Sequence, residues 1–462
     1  MISYQSSKKI LSRAIIKIKD ENIKSVNSLN RILSENIYSN INYPSGNNAA
    51  FDGYAINSKD TNLVKKNFPQ QFKIIGSVAA GAKPFKKKIK KFGAVEIMTG
   101  GIIPKGFDTI IPIEQIVFYP NKNNKKCIII TKKIKKYNTV EIMTGGIMPK
   151  GFDTIIPIEQ IHFYPNKKNK KYILVNQKIK KNNHVRFAGS DFKKKEIVVK
   201  KNTIIQPNHI LAFKTLGIKK IKVKKKINIL FFSTGNEISN NDDIPEWKVR
   251  NSNSHYIRNL DENFLFNFKE GGILKDHHQK IYKSKINKML KSNIDIIITS
   301  GAVSAGKFDY IPSIVKSFKL SNYFKGVAIR PGKPILFAKI KGKQKAIFGL
   351  PGNPISSAAC FRFFVYPYLE NILGLDTENP VKAILKNNFS KKKNFTRFAK
   401  SKLNTTKNGK IEVKVLKGQE SFRIKSFVKS NIWTLLPSGK SKFKKGELVD
   451  CFFPNHSNQS LI

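Results

Sequence analysis

The clearest hydrophobic pattern lies between residues 223 and 375, where short apolar runs alternate with stretches of helical spacing. Apart from Asp295, the run Ile294–Thr299 is β-branched, which is typical of a strand buried on both faces of a parallel sheet. Ile227–Phe232 is also a buried-type apolar run, and a helical pattern at Gln279–Leu290 separates the two runs. This alternation predicts a three-layer α/β domain whose sheet is mainly parallel.

Helical spacing also predicts elements elsewhere. It predicts two helices in Ser6–Asn36, one helix in Gly189–Lys222 and another at His255–Phe268. Between the first two segments, short β-runs broken by Gly and Pro predict a β-rich insertion, and alternating strands follow residue 376. The chain is therefore a predicted multidomain α/β protein. Its predicted domains are a helical domain (1–44 plus 189–222), a β-rich inserted domain (45–188), the α/β domain (223–375) and a C-terminal β-barrel (376–462).

A tandem duplication interrupts the β-rich domain, because residues 95–139 are repeated at 140–184. From VEIMTGGI to FDTIIPIEQI the copies differ only at Ile103 and Met148, whereas a solenoid would contain three or more diverged units. One copy is surplus to the domain. It can extend the sheet, hang outside it or remain poorly packed. The flanking segments fit either copy, or a hybrid with the intervening residues looped out, so these alternatives stay open.

The net charge of +56 is a value that suits a nucleic-acid binder. The excess is spread along the chain as Lys, with abundant Asn and Ile, and all three residue types have A/T-rich codons. Compositional drift explains this more simply, and no basic motif interleaved with aromatic residues is present. We therefore do not expect a nucleic-acid partner.

The cysteine and apolar patterns indicate the compartment. The three cysteines lie far apart and form no CxxC pair, which argues against a disulfide framework or a zinc site and fits a reducing environment. No apolar run is long enough to span a membrane, and the first residues lack the apolar core of a signal peptide. We expect a cytoplasmic protein with no membrane association.

Four polar segments each follow a predicted strand: Ser233–Glu237, Asp276, Ser300–Asp309 and Leu350–Pro354. Since the carboxyl ends of parallel strands share one sheet edge, these segments should meet where open α/β sheets bind ligands. The small residues after Ser300 leave backbone N–H groups accessible to an anion, and Asp309 could carry Mg²⁺ to a phosphate. The sequence therefore predicts a site for a phosphate-bearing ligand.

Six motifs identify a family resemblance. They are, in chain order, Asn48–Ala55 (NAAFDGYA), Ile97–Gly100 (IMTG), Phe232–Glu237 (FSTGNE), Ser300–Tyr310 (SGAVSAGKFDY), Arg330–Pro334 (RPGKP) and Gly349–Pro354 (GLPGNP). With these motifs the chain resembles the MoeA family of molybdopterin molybdenumtransferases, which is related to the C-terminal part of gephyrin. The resemblance implies that the α/β domain binds the pterin and that molybdate is inserted into adenylylated molybdopterin with release of AMP, in the presence of Mg²⁺.

The same resemblance implies partners and roles. It implies a homodimer in which the β-rich domain of one subunit completes the cleft of the other, and it points to the molybdopterin adenylyltransferase and other cofactor-synthesis proteins as partners. The implied catalytic residues are Asp52, Thr99 or Thr144, Asp276 and Asp309, and the implied metal ligands are Glu237, Asp276 and Asp309. The implied substrate-binding residues are Asp191, Ser300, Gly301, Ser304, Gly306, Arg330, Lys333, Pro351, Pro354, Arg397 and Ser421.

Three positions depart from the family pattern. Ala302 replaces the second glycine of SGGVS, Asn236 replaces the aspartate of GDE, and Asn251 replaces that of DTN. The last two changes each remove a carboxylate. They motivate a second hypothesis, a catalytically weakened pterin-binding or scaffold member of the same family.

Overall fold

The protein is described by a computed structural model that divides into two compact units. One unit contains residues 1–35, 201–207 and 220–462, and the other contains 36–200 and 208–219. The boundaries of the four domains remain a prediction. The residues described are 1–50, 52–61, 70–79, 81–82, 93–97, 99–101, 107–117, 136–146, 151–166, 169–175, 180–260, 265–303, 310–376 and 378–455.

A six-stranded sheet forms the α/β part of the first unit. Its strands are β1 (Ile227–Thr234), β2 (Phe266–Leu274), β3 (Ile296–Ser300), β4 (Leu320–Lys325), β5 (Leu336–Ile340) and β6 (Ala346–Leu350). They lie in the order β2-β1-β3-β6-β5-β4. The first four in this order are parallel to one another. Strand β5 is antiparallel to β6, and β4 is antiparallel to β5. The predicted mainly parallel sheet is thus confirmed.

Helices cover both faces of this sheet. They are α1 (Ser252–Asn259), α2 (Gln279–Leu290), α3 (Ile311–Lys316), α4 (Pro354–Cys360) and α5 (Tyr366–Leu373), with a π-helical turn at Phe361–Val365 joining the last two. Alternate residues of β3 serve different cores, because side chains alternate across a strand. Ile296 and Ile298 belong to the core that includes α4 and α5, whereas Ile297 belongs to the core that includes α2 and α3. The predicted three-layer arrangement is confirmed.

The C-terminal part of this unit is a closed barrel. Its five strands are Val381–Leu385, Thr396–Thr405, Ile411–Val415, Ile432–Leu436 and Leu448–Phe452. Each pairs with two others, and pairing between the second and fourth closes the ring. Closure leaves no free edge, which stabilises a small all-β domain. The predicted barrel is confirmed, although the sequence did not predict the Thr396–Thr405 strand. Phe389–Ser390 and Lys442–Phe443 form a separate short ladder, and Ile424–Val428 is a short helix.

The prediction of two helices in Ser6–Asn36 was half wrong. A helix occupies Tyr4–Arg13, but Asp20–Lys24 is a strand paired antiparallel with Lys220–Lys224, and Ser25–Asn27 is a 3₁₀ turn. The apolar residues further on have no helix because Ile32 and Leu33 form bridges with Ile204 and Val223. These long-range backbone pairs satisfy the polar groups that a helix would otherwise use.

The predicted helix at His255–Phe268 was also too long. Helix α1 ends at Asn259, and Phe266 and Phe268 lie in β2 beside β1. In β2, Phe266 is buried while Asn267 is exposed, an alternation that belongs to a strand. The apolar spacing of this segment matches both a helix and a strand, and pairing with β1 decides between them.

The second unit is built on an eight-stranded sheet. Its strands are Gly53–Ile56, Gln70–Val78, Gly93–Ile97, Thr99–Gly101, Phe107–Val117, Lys136–Gly146, Gly151–Asn166 and Asn169–Val175. Short ladders join Ile37–Tyr38 to Ile197–Val199 and Asn48–Ala49 to Val185–Arg186, Ser58–Thr61 is a 3₁₀ turn, and a helix begins at Pro207 and ends at Thr215. Across the described part of the chain, no helix has the length and apolar character needed to cross a bilayer.

The two copies of the duplication lie parallel and largely in register. Val95 pairs with Val140, Thr99 with Thr144, Ile110 with Ile155 and Gln115 with Gln160, so each of these residues lies beside its own repeat. Identical sequences in this register place equal side chains on the same face of the sheet. The surplus copy therefore extends the sheet.

The pairing of the strand Gly53–Ile56 shows how the two copies share the sheet. The strand Gly53–Ile56 pairs with Val95–Ile97 of the first copy and with Thr154–Pro157 of the second. Neither copy alone provides both neighbours of this strand. The strand therefore takes neighbours from both copies, but the predicted hybrid is not formed, because Phe107–Val117 and Lys136–Gly146 lie in strands of the sheet and are not looped out.

Deletion of residues 95–139 should leave the protein folded. The remaining copy begins with the same VEI sequence, so Val140–Ile142 can take the place of Val95–Ile97 while Thr154–Pro157 keeps its partner. We expect an unchanged far-UV circular dichroism spectrum and a thermal midpoint within about 5 °C of that of the parent. Deleting residues 70–114 removes an equal length, including the unique strand Gln70–Val78, and should prevent folding. Unfolding of the first variant would contradict the interchangeability of the copies.

Candidate functional site

A cleft of about 290 Å³ lies at the carboxyl edge of the α/β sheet. Residues following β1, β3 and β6 line it together with the start of α1, as expected when parallel strands end at one edge. The lining residues are Ser233, Thr234, Glu237, Ile238, Val249, Arg250, Asn251, Ser252, Asn253, Ser300, Gly352, Asn353 and Pro354. Ser300 and Pro354, both predicted site residues, are among them, and Pro351 is buried beside Gly352.

Gly301 brings the ends of β1, β3 and β6 into close contact. Its N–H donates to the Leu350 carbonyl oxygen at 2.8 Å, while Thr234 Oγ1 donates to the Ser300 carbonyl oxygen at 3.0 Å. With φ of +104°, Gly301 occupies backbone space that L side chains rarely adopt. A Cβ there would lie 2.4 Å from Thr234 Oγ1 and 2.6 Å from its carbonyl oxygen.

The next residue, Ala302, has φ of +52°. Alanine in the left-handed region is strained by about 1 kcal/mol, a strain that the glycine of the family pattern avoids. Because Ala302 precedes Val303, which packs in the core beneath the sheet, the strained turn is held by buried contacts.

Asn253 ties the loops of the cleft together. Its Nδ2 donates to Ser300 Oγ at 2.6 Å and to the Gly352 carbonyl oxygen at 2.8 Å. Ser300 is only 3% exposed, and its hydroxyl in turn donates to the Pro351 carbonyl oxygen at 3.3 Å. One amide group thus fixes the ends of β3 and β6 relative to α1.

Asn251 makes a second link at the start of α1. Its Oδ1 accepts a hydrogen bond from Ser233 Oγ at 2.6 Å, and its Nδ2 donates to Asn240 Oδ1 at 2.9 Å. Neither Asn251 nor Asn253 was among the predicted site residues. Their signal was present, since both belong to the NSN sequence that stands where the family has DTN.

Asn236 and Asp276 form a reciprocal pair at the neighbouring strand ends. Asn236 Nδ2 donates to Asp276 Oδ2 at 2.7 Å, and the Asp276 N–H donates to Asn236 Oδ1 at 3.2 Å. Tyr310 donates to the Lys275 carbonyl oxygen, and burial, helped by the charge of Asp276, raises the pKa of Tyr310 to about 12. An aspartate at position 236, as in the family pattern, would lack this amide donor. The reciprocal pair therefore depends on the asparagine that this chain has instead.

The predicted metal ligands are only partly described. Glu237 is exposed and its carboxylate folds back over Gly235, while Asp276 is held by Asn236. Asp309 lies outside the described residues, as do Ser304 and Gly306. Among the described residues, no group of three or more His, Cys, Asp or Glu side chains is arranged to hold a metal ion.

A second cavity, of about 360 Å³, is strongly basic. It forms where Ile329–Arg330 pairs with Thr396–Arg397 of the barrel, and the Arg330 guanidinium lies 5.1 Å from the Phe395 ring centroid. Burial lowers the pKa of Arg397, and the charge of Arg330 acts in the same direction. Lys333, the other basic residue predicted in this turn, is exposed. The lining residues are Arg330, Phe389, Ser390, Lys391, Lys392, Phe395, Arg397 and Gln419.

A hydrogen bond connects the loop of the first cleft to the barrel. Asn353 Nδ2 donates to Ser421 Oγ at 3.2 Å. Ser421 lies two residues after Gln419, whose carbonyl oxygen accepts a hydrogen bond from Arg397 Nη2. The predicted residues Arg330, Arg397 and Ser421 are therefore brought together at one junction.

The remaining predicted residues lie in the second unit. Asp52 is exposed directly before the strand Gly53–Ile56, and Asp191 is exposed on a concave surface rich in lysine. Thr99 and Thr144 are adjacent in paired strands. The duplication thus places both threonines together, and the choice between them stays open.

Family models match most of the chain. The "MoeA N-terminal region (domain I and II)" matches residues 2–138 and again 130–217, and the overlap falls within the duplicated segment. The "Probable molybdopterin binding domain" matches residues 231–371, and the "MoeA C-terminal region (domain IV)" matches residues 382–452.

Individual relatives agree with these models. The chain is 30% identical over 427 residues to "Molybdopterin molybdenumtransferase" of Staphylococcus aureus (strain COL), covering 92% of this chain and 88% of that protein. It is 29% identical over 457 residues to the protein of the same name from Staphylococcus epidermidis (strain ATCC 35984), covering 97% and 94%. A crystal structure of the "molybdopterin biosynthesis moeA protein" from Pyrococcus horikoshii OT3 superposes with a TM-score of 0.73 at 25% identity, covering 98% of this chain and 100% of that chain. With its motifs, its domains and its fold in agreement, the chain belongs to the MoeA family of molybdopterin molybdenumtransferases.

Proposed function

We propose that this protein inserts molybdate into adenylylated molybdopterin and releases AMP in a Mg²⁺-dependent step of molybdenum cofactor synthesis. The observation that carries the proposal is the presence of two chemically different cavities, one lined mainly by amide and hydroxyl side chains and one rich in basic side chains. The Asn353–Ser421 hydrogen bond joins a residue of the first cavity to the loop that carries Gln419, a residue of the second. The polar cleft suits a substrate that carries a heterocycle, and the basic cavity suits an oxyanion as the second substrate.

The cleft at the sheet edge suits the pterin and its phosphate. Side-chain amides and hydroxyls supply both donors and acceptors, as the edge of a pterin ring requires. The small residues that follow Gly301 in the sequence are of the kind that lets backbone N–H groups approach phosphate oxygens. In this proposal, Asn253 keeps the adjoining Ser300 in place.

The basic cavity suits molybdate, a tetrahedral dianion. Arg330 and Arg397 offer planar guanidinium groups that donate to two oxygens at once, and the turn that begins at Arg330 also carries Lys333. The stacking of Arg330 on Phe395 restricts its orientation. The pterin dithiolene, rather than a protein side chain, would be the soft ligand for molybdenum.

Asp276, Glu237 and Asp309 would hold Mg²⁺ in this proposal. Their carboxylates are the hard oxygen ligands that this ion prefers, and the Asn236 amide fixes the orientation of the Asp276 carboxylate. The chemistry of these carboxylates therefore suits the ion. When bound, the ion supplies positive charge that neutralises the pyrophosphate and stabilises charge on the leaving AMP.

The proposed assembly is a homodimer in which Asp52, Asp191 and either Thr99 or Thr144 of one chain act at the cleft of the other. The proposed protein partner is a molybdopterin adenylyltransferase, since such an enzyme must supply the adenylylated substrate. The predicted cytoplasmic location belongs to the same proposal. It is supported by Cys360 and Cys451, which are buried and free.

The test is AMP release from adenylylated molybdopterin on addition of molybdate and Mg²⁺. We expect Asp309→Ala to lower the rate at least about a hundredfold, because a metal ligand or catalytic carboxylate is lost. Asp243→Ala, an exposed aspartate in the same domain, should leave the rate unchanged. Activity of Asp309→Ala equal to that of the parent would contradict the role of Asp309.

A second candidate function is a pterin-binding or scaffold member that turns over weakly. The amides at Asn236 and Asn251, each bonded to its neighbours, favour it because they replace family carboxylates. Tight pterin binding without release of AMP by the parent protein would support this candidate and exclude the first.

A further inference from the structure

We propose that Lys400 is a positioning residue that holds the loop carrying Ser421 against the cleft. This inference rests on the proposed function, since it assigns to Lys400 the task of fixing one wall of the molybdate site. Lys400 belongs to none of the six sequence motifs, and it does not line either cavity.

The geometry begins with the Lys400 ammonium group. Its Nζ donates to the Glu420 carbonyl oxygen at 3.1 Å and to the Arg423 carbonyl oxygen at 3.0 Å. These two carbonyl groups flank Ser421 in the chain. One side chain therefore fixes the backbone on both sides of the serine.

The backbone of Lys400 strengthens the same connection. Its N–H donates to Gln419 Oε1 at 3.0 Å, and its carbonyl oxygen accepts from Gln419 Nε2 at 2.8 Å. Arg397, on the same strand, donates to the Gln419 carbonyl oxygen. The Thr396–Thr405 strand thus bonds to the loop at Gln419, Glu420 and Arg423, while Ser421 is left to face Asn353.

The burial of Lys400 indicates that it positions the loop and does not contact substrate directly. Lys400 is only 1% exposed, so its ammonium group cannot reach an ion in the cavity. Burying a lysine is costly unless its donors are satisfied, and two carbonyl oxygens satisfy it here. Burial together with the charge of Arg397 lowers the pKa of Lys400 to about 8, so the protonated, donating form predominates at neutral pH.

The test compares Lys400→Met with Lys402→Met. Both lysines lie on the Thr396–Thr405 strand, but Lys402 is exposed, so its substitution changes charge and length equally without touching the loop. We expect Lys400→Met to raise KM for molybdate about tenfold, with little change in kcat or in KM for the pterin substrate. Hydrogen exchange in a peptide covering residues 416–424 should become faster in Lys400→Met alone.

A double-mutant cycle with Ser421→Ala tests whether Lys400 acts through Ser421. If it does, Lys400→Met should have little further effect on KM for molybdate once the Ser421 hydroxyl is absent. Additive effects would overturn the proposal, as would unchanged hydrogen exchange in Lys400→Met. If Lys400→Met does not fold, Lys400→Gln, which keeps an uncharged amide group that can donate, replaces it throughout. Hydrogen exchange needs no turnover, so failure of this proposal is distinguishable from an inactive parent protein.

Discussion

Gly301→Ala is expected to destabilise the protein by about 3 kcal/mol, which combines left-handed backbone strain with overpacking. The added methyl group would lie 2.4 Å from Thr234 Oγ1 and 2.6 Å from the Thr234 carbonyl oxygen. The second of these atoms belongs to the backbone, so it cannot rotate away. Separating β1 from β3 at this point would also break the hydrogen bond from Thr234 Oγ1 to the Ser300 carbonyl oxygen. Thermal and urea unfolding measure the loss.

Ala302→Gly is the matched control for Gly301→Ala. It removes a methyl group from the adjacent residue, whereas Gly301→Ala adds one. The φ of +52° at Ala302 is a value that glycine adopts without strain. We expect the thermal midpoint of Ala302→Gly to stay the same or rise, while that of Gly301→Ala falls by several degrees. Equal midpoints for Gly301→Ala and the parent would show that this turn does not need glycine.

Asn253→Asp should lower kcat/KM about a hundredfold without preventing folding. The substitution keeps the shape of the side chain but removes both donated hydrogen bonds, to Ser300 Oγ and to the Gly352 carbonyl oxygen. It also places a negative charge against the Gly352 carbonyl oxygen and near the phosphate of the proposed substrate. Steady-state kinetics with adenylylated molybdopterin measure the effect, and lower pH should restore part of the activity because a protonated carboxyl group can donate once.

Asn259→Asp provides the comparison for Asn253→Asp within the same helix. Asn259 is exposed at the end of α1, where its amide donates to the His255 carbonyl oxygen of its own helix. This variant should keep the kinetics of the parent. If both variants had equal activity, Asn253 would have no role in fixing the loops of the cleft.

The sequence predicted well where a pattern has one structural solution. β-branched runs such as Ile294–Thr299 are too short and too apolar for a surface helix, so the strands of the α/β sheet and its three layers could be predicted. The meeting of the loops after β1, β3 and β6 followed from parallel pairing, without knowledge of any side-chain contact.

Elements defined by distant partners could not be predicted. Ile32 and Leu33 have helical spacing, but bridges to Ile204 and Val223 decide their conformation. Phe266 and Phe268 fit a helix until β1 is placed beside them. Local periodicity does not contain these long-range pairs, which is why tertiary pairing overrides it.

Some residues of the candidate site could not be predicted for the same reason. Charged residues in recognisable motifs were identified, but Asn253 and Lys400 act through hydrogen bonds to backbone carbonyl groups that lie far along the chain or in a neighbouring loop. An asparagine in a helix and a lysine in a strand are both common, and nothing in their local sequence distinguishes them. Their roles become evident only when the loops are in place.

The in-register pairing of the duplicated segment has a genetic consequence. Because the two copies pair largely in register, we expect a third copy inserted in frame to meet a strand of the same register, and loss of one copy to leave the ends of the other properly joined. Recombination between the repeats, which changes the chain by units of 45 residues, therefore yields lengths that this sheet can accommodate. We therefore expect gain or loss of one repeat to leave a protein that still folds.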